Sequence, residues 1–121
     1  MVYFMETNEL RIGNLLSFGE KYFPVYEIQE KCFYVLGEKG IELKNTTAEL
    51  KPIQLNEEWL LKFGFKRFPW GLVKDNLLFK DDLKCSYIIL QVGNGFEVKV
   101  KYVHEFQNLY FALTQRELTV A

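Results

Sequence analysis

Residues 86–103 read SYIILQVGNGFEVKVKYV, and the alternation within them decides the fold. Two runs of strand-forming residues flank Gly93-Asn94-Gly95, and the second run alternates apolar with charged residues. A two-residue loop would set Leu90 opposite a charged residue, whereas a three-residue loop gives one wholly apolar face. We therefore predict a β-hairpin with Gly95 in the left-handed bulge position of its loop. The predicted inner pairs are Val92 with Phe96, Leu90 with Val98, and Ile88 with Val100.

The chain upstream of this hairpin holds five short runs of strand-forming residues. Turn residues separate them at a spacing of about ten residues, which is typical of small all-β units. They predict an antiparallel sheet that is SH3-like and barrel-like, or simply curled. The five runs are Leu10–Phe18, Tyr22–Gln29, Cys32–Leu36, Ile41–Leu43 and Ala48–Ile53.

The residues between these strands and the hairpin predict a helix at 56–63. Asn56 is a good N-cap, and two glutamates follow it in the first turn, where the helix dipole favours negative charge. Gly64 fits the left-handed position after the helix, and Phe65 can fold back on Leu60 as a Schellman end requires.

A second helix is predicted from His104 to about Leu113, because apolar residues recur at helical spacing over a wide arc. The intervening segment 65–84 reads as irregular, apart from a short strand at 76–80. These elements predict an α+β fold: a small barrel-like sheet, a hairpin and two helices. The length of 121 residues predicts one domain spanning 1–121.

Composition excludes several classes of protein. Eleven Phe, seven Tyr and two Trp argue against intrinsic disorder. No apolar run is long enough for a membrane span, and no secretory signal is recognisable, so we expect a cytoplasmic protein without membrane contact. Cys32 and Cys85 are expected to be buried thiols.

Catalytic chemistry has little support in the residues. His104 is the only histidine and lies in no catalytic motif, so we interpret it as a helix-start residue. The helix dipole explains the pair Glu57-Glu58, and a turn explains Asp81-Asp82. Two cysteines and one histidine cannot supply a structural zinc site. We therefore expect no enzyme activity, no metal and no cofactor.

Charge is polarised along the chain although the net charge is only −1. Residues 1–61 carry six basic and ten acidic residues, whereas 62–104 carry eight basic and four acidic ones. One interpretation is a basic surface on the outer hairpin face, with aromatic stacking groups, that contacts RNA, DNA or an acidic protein. The alternative is a solvated face whose lysines protect a sheet edge. The candidate residues are Lys99, Lys101, Tyr87, Lys84, Lys80, Arg67, Lys66 and Trp70.

The aromatic excess also has two interpretations. Most rings must lie in the core, and any surplus would enrich a protein-binding face. Four aromatic residues do not fall at the regular spacing of a buried helix or strand face, and they are the candidates for such contacts: Phe68, Trp70, Phe79 and Phe111. The alternative is irregular core packing.

Three blocks of the chain resemble a family of small proteins encoded in prophages and mobile elements of Bacteroidetes-type bacteria. They are ELRIGN at 9–14, PIQLNEEWLLKFGF at 52–65 and KYVHEFQNLYFALT at 101–114. The family pattern has Gly after the last block, where this chain has Gln115. The resemblance implies no site residues.

The resemblance does imply a context, because small non-enzymatic phage proteins often bind a host machine. Anti-CRISPR proteins are one such class. The resulting hypothesis is an inhibitor of a host defence nuclease that contacts an RNA-guided effector or its guide RNA. Its partner would be a host protein such as a CRISPR effector nuclease, or RNA. The acidic N-terminal half could equally mimic nucleic acid. The alternative is a nucleic-acid-binding accessory module of a prophage.

Overall fold

A computed structural model describes residues 7–46, 49–69, 71–74, 77–80, 88–92 and 96–120; residues 80, 88–92 and 96–99 enter through their backbone pairing alone. In these residues the chain forms ten strands, two helices and two 3-10 turns, Thr7–Glu9 and Glu38–Gly40. The strands are β1 (Leu15–Phe18), β2 (Lys21–Ile28), β3 (Phe33–Leu36), β4 (Glu42–Lys44), β5 (Lys51–Pro52), β6 (Lys66–Phe68), β7 (Gly71–Lys74), β8 (Leu77–Lys80), β9 (Ile88–Val92) and β10 (Phe96–Val100). The helices are α1 (Glu57–Lys62) and α2 (Val103–Thr114).

The first five strands form an antiparallel sheet in the order β4-β3-β2-β1-β5. All five predicted runs contribute a strand, and the predicted α+β class is confirmed. The sheet is open in the described residues, because β4 and β5 are its two edges. Its inner face buries Leu16, Val25, Phe33 and Val35 together with Leu10 from the preceding segment.

The last five strands form a second antiparallel sheet in the order β10-β9-β8-β7-β6. Val92 pairs with Phe96, Leu90 with Val98, and Ile88 with Val100, so the predicted register is confirmed. The loop 93–95 and Tyr87 lie outside the described residues.

The prediction of an irregular segment at 65–84 is wrong in part. Three strands, β6, β7 and β8, cross this region, and β8 occupies most of the predicted strand at 76–80. The predicted hairpin is therefore one end of a five-stranded meander. Strands of three or four residues around Pro69 and Gly71 are too short to show a period of two.

Helix α1 has the predicted ends. The Asn56 side chain accepts a hydrogen bond from the backbone N–H of Trp59 at 3.0 Å. At the other end Gly64 has φ +95°, and the N–H of Phe65 donates to the carbonyl of Leu60 at 3.0 Å. That bond, with the one from Gly64 to Leu61, is a Schellman motif.

Helix α2 begins one residue before and ends one residue after the predicted limits. The Glu105 carboxylate accepts from the backbone N–H of Tyr102 at 2.9 Å, which caps the first turn. The helix ends at Thr114, and Gln115 follows in the left-handed conformation with φ 62°.

The main core lies between the second sheet and the two helices and is largely aromatic. Phe63, Phe79 and Phe106 are each fully buried. The rings of Phe79 and Phe106 meet edge to face with centroids 4.6 Å apart, and Phe65 contacts both. Such pairs each add about 1 kcal/mol beyond the area they bury. The proposal that Phe79 is a surface contact is therefore wrong.

The other candidate aromatics have different surroundings. Phe68 is 37% exposed in β6. Phe111 is partly buried, and the Arg11 guanidinium lies 3.9 Å from its ring centroid, a cation–π contact within the chain. Trp70 lies outside the described residues.

Side-chain amides join the first sheet to α2. The Gln107 amide oxygen accepts from the N–H of Leu15 at 2.8 Å, and its nitrogen donates to the carbonyl of Gly13 at 3.2 Å. Asn14, which is buried, donates to the Asn108 side chain at 2.9 Å. These bonds hold the start of β1 against the second helix.

Candidate functional site

The predicted contact face can be placed only in part. Tyr87, Lys84 and Trp70 lie outside the described residues. The other five candidates are Lys66, Arg67, Lys80, Lys99 and Lys101.

Lys80 and Lys99 share one register row of the second sheet. Both pair with Ile89, Lys80 from β8 and Lys99 from β10. Neighbouring strands lie about 4.8 Å apart, so these two Cα positions are separated by about 10 Å. The backbone thus brings together two lysines that are distant in the sequence.

Lys66 and Arg67 occupy the opposite edge of the same sheet. They belong to β6, four strands away from β10, a separation of about 19 Å. The guanidinium Nε of Arg67 is 3.1 Å from a carboxylate oxygen of Glu57 in α1. The predicted face is therefore divided between two edges, and Arg67 already has an acidic partner.

Lys101 is exposed just beyond β10. Its Nζ lies 5.4 Å from the centroid of the Tyr102 ring, and its carbonyl accepts from the N–H of Leu55 at 2.9 Å. Lys101 therefore continues from Lys99 along the chain, towards the start of α1.

Two further lysines of the segment 62–104 pack against residues of the main core. Lys74 Nζ donates to the carbonyl of Phe63 at 2.7 Å and lies 5.6 Å from the Tyr110 ring. Lys62 Nζ lies 4.6 Å from the Trp59 ring. Part of the positive charge between 62 and 104 is thus explained by packing.

An apolar cleft opens on the inner face of the first sheet. It has a volume of about 400 Å³, and Phe18, Phe23, Ile41 and Leu43 supply its apolar walls. Ile41 is 60% exposed and Phe18 39% exposed, so two large apolar side chains are in contact with water at the same recess. We call these four residues the apolar cleft.

Two turns lie beside the cleft, and the second of them fixes the backbone of Ile41. The N–H of Gly37 donates to the carbonyl of Ile41 at 2.7 Å, and the N–H of Ile41 donates to the carbonyl of Glu38 at 3.1 Å. This closed turn holds Ile41 ahead of β4. The β1–β2 turn lies at the same end of the sheet because β1, β2, β3 and β4 are joined as successive hairpins.

Three charged residues also line the cleft: Glu20, Lys21 and Glu38. The Lys21 ammonium makes an ion pair with the Glu38 carboxylate. Among the described residues Glu20 has no ion pair, so the net charge of the residues that line the cleft is negative.

Sequence reasoning did not find the cleft. Turn residues occur at 19–20 and again at 37–40, and the sequence between them gives no sign that the two turns lie side by side. The available signal was Ile41, an apolar residue directly after a turn and followed by an alternating strand.

The lone histidine lies inside the protein. His104 is 1% exposed, and its Nε2 is 3.3 Å from a carboxylate oxygen of Glu9 without forming a well-aligned hydrogen bond. Burial lowers the pKa of His104 below its ordinary value, although the Glu9 and Glu105 carboxylates act in the opposite direction.

No group of three or more His, Cys, Asp and Glu side chains in the described ranges could hold a metal ion. Nor is any helix in this part of the chain long and apolar enough to cross a membrane. What the described residues do offer is the apolar cleft and the register row that places Lys80 and Lys99 on either side of Ile89.

Comparisons with models of protein families, with curated proteins and with solved structures found no match for this chain. The resemblance to mobile-element proteins stays a prediction.

Proposed function

We propose that this chain is a non-enzymatic phage-type binding protein that inhibits a host defence nuclease, in the manner of an anti-CRISPR protein. It acts in the cytoplasm of the bacterial host and docks on the protein part of an RNA-guided effector. The observation that carries this proposal is the apolar cleft, with Ile41 and Phe18 exposed at it.

The cleft has the physical character of a protein-binding surface. Apolar side chains grouped around a concavity gain free energy when a partner removes them from water, at about 25 cal/mol per Å². Protein interfaces concentrate their binding energy in a few apolar or aromatic anchors seated in such pockets. Charged residues beside the cleft provide the polar margin that interfaces also have.

The test is a titration of the purified protein into target-cleavage assays of the host's RNA-guided effector nucleases. Inhibition of one effector is expected. Ile41→Glu should weaken that inhibition by about tenfold or more, because it places a charge among the cleft's apolar walls.

Ile12→Glu is the matched control, since Ile12 is 62% exposed and lies away from the cleft. It should inhibit as the original chain does. Absence of inhibition of every effector, or equal effects of the two substitutions, would contradict the proposal.

A second candidate function is a nucleic-acid-binding accessory module, favoured by the row formed by Lys80 and Lys99 and extended by Lys101. Here the chain would bind labelled single-stranded RNA with an affinity that falls with salt. Lys99→Glu with Lys101→Glu should abolish binding and remove the salt dependence.

Lys31→Glu with Lys39→Glu makes the same change of charge at exposed positions of the first sheet and its turns. This control should bind RNA nearly as the original chain does. Equal loss in both double variants would mean that only total charge matters, and the lysine row would have no special role.

A further inference from the structure

The edge of the first sheet next to the apolar cleft is strand β4. In the described residues β4 pairs with β3 alone, through Val35 with Leu43 on the inner face. Leu43 is also a wall of the cleft, and Ile41 lies just ahead of the strand. A strand added beside β4 would therefore place alternate side chains over the cleft, because residues paired across strands point to the same face.

The other edge of this sheet is less suited to such pairing. It is β5, a strand of two residues that ends in Pro52. Proline has no N–H to donate, and it is a common device for protecting a sheet edge. Of the two edges, β4 is the one next to an apolar recess that could receive side chains.

Charge indicates what kind of strand would fit. Lys21 is paired with Glu38, which leaves the Glu20 carboxylate as the unpaired charge on the cleft lining within the described chain. On β4 the charge of Glu42 is balanced by that of Lys44, and neither residue lines the cleft, so the charge preference rests on Glu20. The complement is a segment that carries Lys or Arg beside its apolar residues.

We propose that the cleft binds an extended segment of the partner protein by strand addition to β4. Alternate apolar side chains of that segment enter the apolar cleft, and a Lys or Arg beside them pairs with Glu20. This inference rests on the proposed function, since it names the chemistry of the protein that the inhibitor would hold. Backbone hydrogen bonds to β4 supply affinity, and the cleft and Glu20 select the sequence.

The test is selection of a display library of random short peptides on the purified chain. Enriched peptides should alternate apolar residues and carry Lys or Arg. A synthetic enriched peptide should bind about tenfold more weakly to Ile41→Glu and to Glu20→Lys, but equally well to Ile12→Glu. It should also slow amide exchange in β4, and N-methylation of its alternate backbone amides should remove binding.

The outcomes of peptide selection and nuclease inhibition separate strand addition from the proposed function. Binding that survives Ile41→Glu, or tolerance of N-methylation, would overturn strand addition, and enriched peptides without Lys or Arg would overturn the pairing with Glu20. If Ile41→Glu abolishes nuclease inhibition while no peptide is enriched, strand addition is wrong and the proposed function stands. If peptides bind as described while no nuclease is inhibited, the proposed function is wrong and the peptide site stands.

Discussion

At the scale of single residues, the burial of the ionisable side chain of His104 has a consequence for stability. His104 is buried at the start of α2, where the positive end of the helix dipole and the loss of water both disfavour its charged form. The Glu9 carboxylate, 3.3 Å away, compensates in part. Burial is the larger effect, so the pKa of His104 is lowered in the folded protein.

This lowered pKa predicts a loss of stability in mild acid. Below the ordinary value of 6.5 the unfolded chain takes up a proton that the folded chain still refuses. The free energy of unfolding should therefore fall as the pH drops from about 6.5 towards the folded pKa. His104→Leu should remove this contribution. Urea unfolding of both proteins at several pH values measures it.

His104 is the only histidine, so no other side chain with an ordinary pKa near 6.5 obscures the comparison. Glu9→Gln serves as a second variant: without the carboxylate, the pKa of His104 falls further and the pH dependence extends to lower pH. A pH dependence that is unchanged in His104→Leu would show that the effect arises elsewhere.

At the scale of elements, the end of α2 carries local strain. Gln115 adopts φ 62°, a conformation that disfavours residues with a Cβ by about 1 kcal/mol or more. Gln115→Gly should raise the free energy of unfolding by about 1 kcal/mol and the melting temperature by a few degrees.

Calorimetry of the melting transition checks this prediction. Arg116→Gly is the matched control at the next residue, which does not have a positive φ. It should lower stability slightly, because glycine gains freedom in the unfolded chain without relieving strain. If Gln115→Gly lowers stability, contacts of the Gln115 side chain stabilise the fold by more than its left-handed backbone conformation costs.

The same scale shows what could be predicted from sequence. Helix α1 was predictable because its signals, Asn56, Gly64 and Phe65, are local and act within one turn. The hairpin register was predictable because a slip by one residue would mix charged and apolar residues on one face. Strands β6 and β7 were missed because their pairing is decided by strands that follow them, and Pro69 and Gly71 resemble loop residues.

The apolar cleft could not be predicted for a related reason. Its walls come from β1, β2, β4 and Ile41 just ahead of β4, and only the sheet order brings these residues together. The same cause divides the predicted basic face: sequence places Lys66 and Lys99 in one charged segment, whereas the meander places them at opposite edges.

At the scale of the whole molecule, the two sheets are connected through α2 by buried amides. Gln107 is 3% exposed and satisfies both the N–H of Leu15 and the carbonyl of Gly13. Gln107→Leu keeps the size of the side chain but leaves two backbone groups without a partner. Stability should fall by about 2 kcal/mol or more, and amide exchange at Leu15 should accelerate.

Gln29→Leu is the control, because Gln29 is exposed directly after strand β2 of the first sheet. The hydrogen bonds of its side chain join it to the nearby side chains of Glu27 and Cys32. It should change stability by less than about 0.5 kcal/mol. If the two variants behave alike, the amides of α2 do not couple the first sheet to the rest of the chain.

Photo-cross-linking of the inhibited nuclease complex tests the proposed docking most directly. Benzophenone side chains are introduced at positions 18 and 41 in the apolar cleft, and at position 12 away from it. Cross-links from 18 and 41 to the protein subunit of the effector, and none from 12, are the predicted result. Cross-links from 12 alone, or from the cleft positions to the guide RNA in place of the protein, would contradict it.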